Sequence, residues 1–232
     1  MSGERLRFGI DGLDRMMSGG LIEESICGLI GTFGTGKTTF ALQFAHEGLL
    51  RGERVLYISL EEREERIYRY IERRGWDPAL YGDGALTVLR LNPADFTIAV
   101  DRVRNELFPL IDQLRPGRVI VDPISLYESL FESEATRRME IFRLTEELRD
   151  HHCTVLFTSE TDKHDQYSSR HNQVEYLADA VIFLRYVRPA DINEVRLALE
   201  VTKMRESAHS REIKPYEILG DRVLVHTDAN VY

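Results

Sequence analysis

The stretch Gly31-Thr32-Phe33-Gly34-Thr35-Gly36-Lys37-Thr38 sets glycines, a lysine and a threonine at the spacing G-x-x-x-x-G-K-[ST]. That spacing suits the capture of phosphate esters. Glycines let successive backbone N–H groups converge on one anion, and the N-terminus of a following helix adds partial positive charge. Lys37 has the reach for the outer phosphates, and the Thr38 hydroxyl is a hard oxygen ligand for Mg²⁺. Acidic residues complete this chemistry. In Arg118-Val119-Ile120-Val121-Asp122, β-branched residues lead into an aspartate at a strand end, so Asp122 is the candidate partner of Thr38 at the metal, and Pro123 turns the chain out of the sheet. Tyr57-Ile58-Ser59-Leu60-Glu61-Glu62 ends in paired carboxylates. Glu61 is the candidate for activating an attacking water, whereas Glu64 and Glu65 read as the acidic first turn of a helix.

Such residues need strands that end at one edge and helices that start there. Continuous apolar runs at Ser25–Ile30, Val55–Leu60, Thr87–Leu91, Val119–Val121, Thr154–Thr158 and Ala180–Tyr186 predict strands buried on both faces. Between them lie helical stripes: Ala99, Val103, Leu107, Leu110, Ile111 and Leu114; Ala135, Met139, Phe142 and Leu148; and Ile67, Tyr70 and Ile71 in a charged helix closed by Gly75. After residue 178 the helical patterns stop, and Ala180–Val187, Val195–Lys203, Ile213–Ile218 and Arg222–Val225 read as antiparallel hairpin strands added to one edge. The fold class is therefore α/β, a mainly parallel central sheet flanked by helices, in one domain over residues 1–232. The 232 residues carry 30 Lys+Arg against 39 Asp+Glu, a net charge of -9, which argues against a broad nucleic-acid or anionic-membrane surface. No apolar stretch is long enough to span a membrane, and the opening MSGERLRFGID lacks the apolar segment of a secretory signal. Two cysteines, Cys27 and Cys153, sit in apolar runs and read as reduced core thiols, so a cytoplasmic protein is expected.

The order of these motifs resembles the RecA/RadA superfamily of P-loop ATPases, and within it the single-domain KaiC-like ATPases. The likeness begins at Phe8-Gly9-Ile10-Asp11-Gly12-Leu13-Asp14 and Ser18-Gly19-Gly20-Leu21. It continues through the glycine-rich loop, Leu60-Glu61-Glu62, Gly75-Trp76-Asp77, Val119–Asp122 and Thr158-Ser159-Glu160, and reaches Lys203-Met204-Arg205-Glu206-Ser207-Ala208-His209. The resemblance implies a RecA-like fold that binds ATP with Mg²⁺ and hydrolyses it slowly to ADP, in a homo-oligomeric ring, a hexamer, with nucleotide at the subunit interfaces. It implies that Gly34, Thr35, Gly36, Lys37, Thr38 and Thr39 wrap the phosphates, that Thr38 and Asp122 hold Mg²⁺, and that Glu61 is the principal base with Glu62 assisting. It further implies that Lys203, Met204, Arg205, Ser207 and His209 face the nucleotide of a neighbouring subunit, and that Arg73 is a further nucleotide contact. A cation supplied in trans would stabilise charge developing on the transferred phosphoryl group.

Two departures from the family pattern bear on activity. Glu206 stands where the family usually has glycine, and Glu175-Tyr176 stands where the clock protein has an autophosphorylated hydroxyl pair, so autokinase activity is not expected. A regulatory protein partner is compatible with a nucleotide-driven change of ring shape. Two other readings use the same nucleotide site. In one, the chain is a single-stranded-DNA-dependent ATPase whose polar segment 161–172 contacts DNA, although that segment is nearly charge-balanced and holds one aromatic, Tyr167. In the other, ATP cements a non-hydrolysing scaffold.

Overall fold

Strands that are apolar on both faces need cover on both sides, and the helices provide it. A computed structural model of the protein describes residues 4–92, 100, 103–188 and 194–231. A short antiparallel pair, β1 (Arg5–Leu6) and β2 (Leu21–Ile22), brackets α1 (Asp11–Met16). The chain then alternates through β3 (Ile26–Gly31), α2 (Lys37–Leu50), β4 (Val55–Ser59), α3 (Glu64–Arg73), β5 (Leu86–Arg90), α4 (Phe108–Leu114), β6 (Arg118–Asp122), α5 (Ile124–Glu128), α6 (Glu134–Asp150), β7 (Thr154–Ser159) and α7 (Val174–Leu177). It closes with β8 (Ala180–Val187), β9 (Arg196–Met204), β10 (Lys214–Ile218) and β11 (Val223–Val225). Among the described residues, β3 to β11 form one nine-stranded sheet in the order β11-β10-β9-β8-β3-β7-β6-β4-β5. Pairing is parallel from β8 through β5 and antiparallel from β8 through β11, as the sequence predicts.

The two-residue period of each strand divides its side chains between two cores. Cys27, Leu29, Tyr57, Ile120 and Leu156 face one core with α1, α2 and the last strands, while Ile26, Ile30, Leu56, Ile58, Val119, Val121, Val155 and Phe157 face the other with α4, α5 and α6. Of the expected stripe running into α4, Val103 and Leu107 in the turn before the helix and Ile111 within it are buried, and Ala99 lies outside the described residues. The stripe expected on α6 is corrected in part: Leu148 is buried as expected, but Ala135 is exposed, as are Met139 (61%) and Phe142 (52%), while Ile141 and Leu144 turn inward beside Leu148. Both apolar series repeat at helical spacing. The one that meets the sheet is completed by Thr145, which satisfies its own hydroxyl on the Ile141 carbonyl at 2.7 Å.

Arg118 opens β6 and is wholly buried. Its guanidinium makes a two-pronged pair with Glu53 at 2.7 and 2.9 Å, donates to the carbonyls of Arg7 (2.6 Å) and Phe44 (2.9 Å), and lies 4.4 Å from the centre of the Phe44 ring. A buried charge is tolerated when each donor finds an acceptor in this way.

Candidate active site

The carboxyl ends of four adjacent parallel strands meet at one edge of the sheet, the place where open α/β sheets bind ligands. β3 runs directly into the glycine-rich loop, and β4, β6 and β7 end beside it, with Ser59 level with Asp122 and Ile30 level with Ser159. Gly34 and Gly36 hold φ of 78° and 88°, the left-handed region that glycine enters without steric cost, and Gly36 caps α2 with no side chain in the way. The Thr35 hydroxyl braces the turn from within by donating to the Thr32 carbonyl at 2.8 Å, and the Thr35 carbonyl accepts from Tyr216 at 2.6 Å. Lys37 Nζ donates to the carbonyls of Gly31 and Thr32 at 2.8 and 3.1 Å. Burial lowers its pKa, against the pull of Glu160, Asp122 and Glu61.

Asp122 is the hub. One carboxylate oxygen accepts from Thr38 Oγ1 at 2.9 Å and from the Tyr57 hydroxyl at 2.5 Å, and the other accepts from Thr158 Oγ1. Burial and the neighbouring Asp122 charge drive the Tyr57 pKa well upward, so this phenol stays a donor. The Thr38 hydroxyl and the Asp122 carboxylate are hard oxygen donors on facing elements, the ligand type that Mg²⁺ accepts.

The two glutamates differ in surroundings. Ser59 receives the Glu62 N–H at 3.0 Å and donates to the Glu62 carbonyl at 2.8 Å, closing a tight turn after β4. The Glu62 carboxylate is then taken by Tyr70 at 3.2 Å and Arg66 at 3.2 Å, both on α3. Glu61 instead lines the cleft, and its pKa is raised, first by burial and then by Asp122, Glu62 and Glu160, with Lys37 opposing. Phe33, Gly34, Gly36, Lys37, Thr38, Thr39, Glu61, Glu62, Asp122, Glu160 and Ile218 are among the residues around this cleft of about 430 Å³. The lining holds four carboxylates and one ammonium.

The late motif lies elsewhere. β9 is antiparallel to β8, so Met204 stands level with Ala180, and Ala180 with Cys27 near the start of β3. Four residues of strand, roughly 13 Å at about 3.3 Å each, separate that level from the start of the glycine-rich loop. At this opposite edge Lys203 Nζ donates to the carbonyls of Glu175 (2.9 Å) and Tyr176 (3.4 Å), and Arg205 to Asp179 and the Tyr176 carbonyl, both at 3.3 Å. Met204 packs on the core, Ser207 accepts from Arg5 at 2.8 Å, and His209 is half-buried. Lys203, Met204, Arg205, Ser207 and His209 are thus not brought to the cleft of their own chain. Glu206, with φ of 57°, adopts the left-handed turn that glycine would favour.

Two residues near the cleft make contacts that the sequence did not assign to them. Glu160 lines the cleft and pairs with Arg170 at 2.5 Å. The sequence marks it as the last residue of the Thr158-Ser159-Glu160 motif but gives it no role. Arg73, expected at the nucleotide, is exposed, whereas the next residue, Arg74, donates to Thr39 Oγ1 at 3.0 Å.

The family model described as the KaiC ATPase matches residues 6–230. A circadian clock oscillator protein KaiC of Parathermosynechococcus lividus is 28% identical over 229 residues, covering 93% of this chain and 41% of the relative. A UPF0273 protein of Methanopyrus kandleri is 31% identical over 244 residues, covering 97% of this chain and 93% of the relative. The crystal structure of a KaiC-like protein from the hyperthermophilic archaeon Pyrococcus horikoshii superimposes with a TM-score of 0.83 at 29% identity, covering 97% and 99% of the two chains. The chain thus spans less than half the length of the clock proteins it matches, but nearly all of the archaeal relatives. Its P-loop, its RecA-like sheet and the extent of the match agree: the chain belongs to the KaiC family of ATPases.

Proposed function

We propose that this chain binds Mg·ATP in the cleft at the carboxyl edge and hydrolyses it slowly to ADP and phosphate, within a ring of identical subunits, a hexamer, whose interfaces hold the nucleotide. The observation that carries this reading is the charge imbalance between the two edges. Among the described residues, Lys37 is the one cation lining a cleft that also carries Glu61, Glu62, Asp122 and Glu160, to which a triphosphate would add further negative charge. Lys203 and Arg205 stand at the opposite edge, out of reach of that cleft but available to a second copy.

In this mechanism the loop N–H groups and Lys37 hold the β- and γ-phosphates in line, and Thr38 and Asp122 would hold Mg²⁺, which would supply neutralising charge at the phosphates when bound. Glu61, poised at the cleft with its pKa raised, accepts a proton from the attacking water at a carboxylate oxygen. Glu62, tied to α3, assists by fixing the turn that presents Glu61. Arg205 and Lys203 of the adjoining subunit meet the charge developing on the γ-phosphoryl group. The choice of ATP rests on the family, as does an output read through ring shape by a regulatory partner.

Light scattering on purified protein with and without Mg·ATP, with phosphate release measured on the same fractions, tests the reading. A ring of about six subunits whose turnover disappears in Arg205→Ala is the expected result. A monomer that hydrolyses ATP unaided would remove the inter-subunit part and leave the P-loop assignment.

A further inference from the structure

We infer that Tyr57 is a positioning residue for the metal: its phenol completes the occupation of one oxygen of the Asp122 carboxylate and so biases the site toward Mg²⁺ over Ca²⁺. The inference rests on the nucleotide reading above and deepens it by naming what selects the ion. Tyr57 stands level with Ile120 of β6, which makes Asp122 its diagonal neighbour two residues on, on the same face of the sheet. The Tyr57 side chain is wholly buried in the core that α2 covers. A phenylalanine ring would fill that apolar space equally well. What the hydroxyl adds is the 2.5 Å bond to Asp122 Oδ2.

A carboxylate offers about four lone-pair sites, two on each oxygen. On Oδ2, Tyr57 takes one and Thr38 Oγ1, at 2.9 Å, takes the other. Thr158, next along β7 from Phe157, takes one on Oδ1. Among the described residues, Oδ1 thus keeps one open site, on a side chain that lines the cleft. The Thr38 hydroxyl donates its proton to Oδ2 and still has lone pairs for an ion. Mg²⁺ demands near-ideal octahedral geometry and suits a carboxylate held in one orientation. Ca²⁺ is larger, tolerates irregular coordination and often clasps both oxygens of a carboxylate. Two donors on Oδ2 fix the carboxylate for the first ion and deny that clasp to the second. Partners that orient a metal ligand in this way are typically worth roughly 10- to 100-fold in metal affinity.

The test measures dissociation constants by calorimetry for Mg·ATP, Ca·ATP and ATP in EDTA, in the wild type, Tyr57→Phe and Thr158→Val. The wild type should bind Mg·ATP roughly tenfold or more tighter than Ca·ATP. Tyr57→Phe should raise the Mg·ATP constant roughly tenfold and leave the constants for Ca·ATP and for ATP in EDTA within about twofold. Thr158→Val, which leaves Oδ2 filled, should keep the preference within about threefold of the wild type. Equal weakening of both ions in Tyr57→Phe would overturn the inference, because the phenol would then only brace the fold. So would an unchanged preference in that variant, or an equal narrowing in Thr158→Val. Melts without ligand identify fold damage, and if Tyr57→Phe is damaged the wild type and Thr158→Val decide. A wild type that binds both ions alike overturns the inference by itself. A wild type that binds ATP with neither ion would instead overturn the nucleotide reading.

Discussion

At the carboxyl edge of the sheet, β3, β4 and β6 deliver Lys37, Glu61 and Asp122 to one acid-rich cleft, whereas at the amino edge Lys203, Arg205 and Arg149 gather around Asp179 and the carbonyls of Glu175 and Tyr176. The first edge has polar groups aimed into open space. At the second, the cations are already hydrogen-bonded within the chain, so reaching another subunit means exchanging a backbone carbonyl for a phosphate. The difference teaches that one copy of this chain holds an acid-rich cleft and a cation cluster at opposite edges of its sheet and cannot close them on each other.

The largest expected effect breaks that separation. Arg205→Ala should lower phosphate release by about 10³-fold or more while ATP binding persists, and mixing it with Glu61→Gln protein should restore part of the rate through interfaces that pair the intact halves. Absence of any recovery on mixing would argue against complementary edges. Next, Glu61→Gln should cost about 10²–10⁴ in turnover and Glu62→Gln less than about tenfold, since the Glu62 carboxylate is engaged by Tyr70 and Arg66. The pH profile sharpens the point. A base with a raised pKa is active only when deprotonated, so turnover should climb with pH through a limb above the ordinary carboxylate range. A profile flat down to pH 4.5 would exclude Glu61 as the titrating group.

Near the carboxyl edge, on α5, Glu128 is fully buried, and both its carboxylate oxygens lack a hydrogen-bond partner among the described residues. Burial, with Glu175 adding to it and Arg137 and Arg170 opposing, pushes its pKa up to about 8. A carboxyl that holds its proton more tightly when folded stabilises the fold at low pH, and that stability declines as pH rises from about 4.5 toward about 8. Glu128→Gln should flatten the decline, worth on the order of a few kcal/mol across the window in melts from pH 5 to 9. An identical slope in the variant would place its source elsewhere. The smallest effect concerns the amino edge. Glu206→Gly relieves a left-handed residue and should stabilise the chain by roughly 1 kcal/mol, read from urea unfolding, whereas a loss would mean that the Glu206 side chain contributes contacts of its own.

Much of the carboxyl edge was legible because its chemistry is local. The loop 31–38 and the strand ending in Asp122 are contiguous segments whose residue types suit phosphate and metal binding. The amino edge was legible only in composition. Spacing along Lys203 to His209 says nothing about which end of the sheet they occupy, since that depends on β9 running antiparallel to β8. The inward face of α6 was misread for a related reason. Ile141 and Leu144 compete with Ala135, Met139 and Phe142 at the same period, and only the sheet beneath decides between them. The contacts of Arg74 and Glu160 were not legible because their partners lie 35 and 10 residues away.

The buried arginine of β6 has a consequence for motion. Arg118 clamps the carbonyl of Phe44 on α2 and the Glu53 carboxylate before β4, and a Cβ on Gly48 would lie 2.6 Å from its Nε. Helix and strand are therefore pinned at the far end of α2 from Thr38 and Asp122. In hydrogen–deuterium exchange, the amides of β6 and the second half of α2 should open together and last, so that Asp122 is carried on the most slowly exchanging unit while the loops around it open independently.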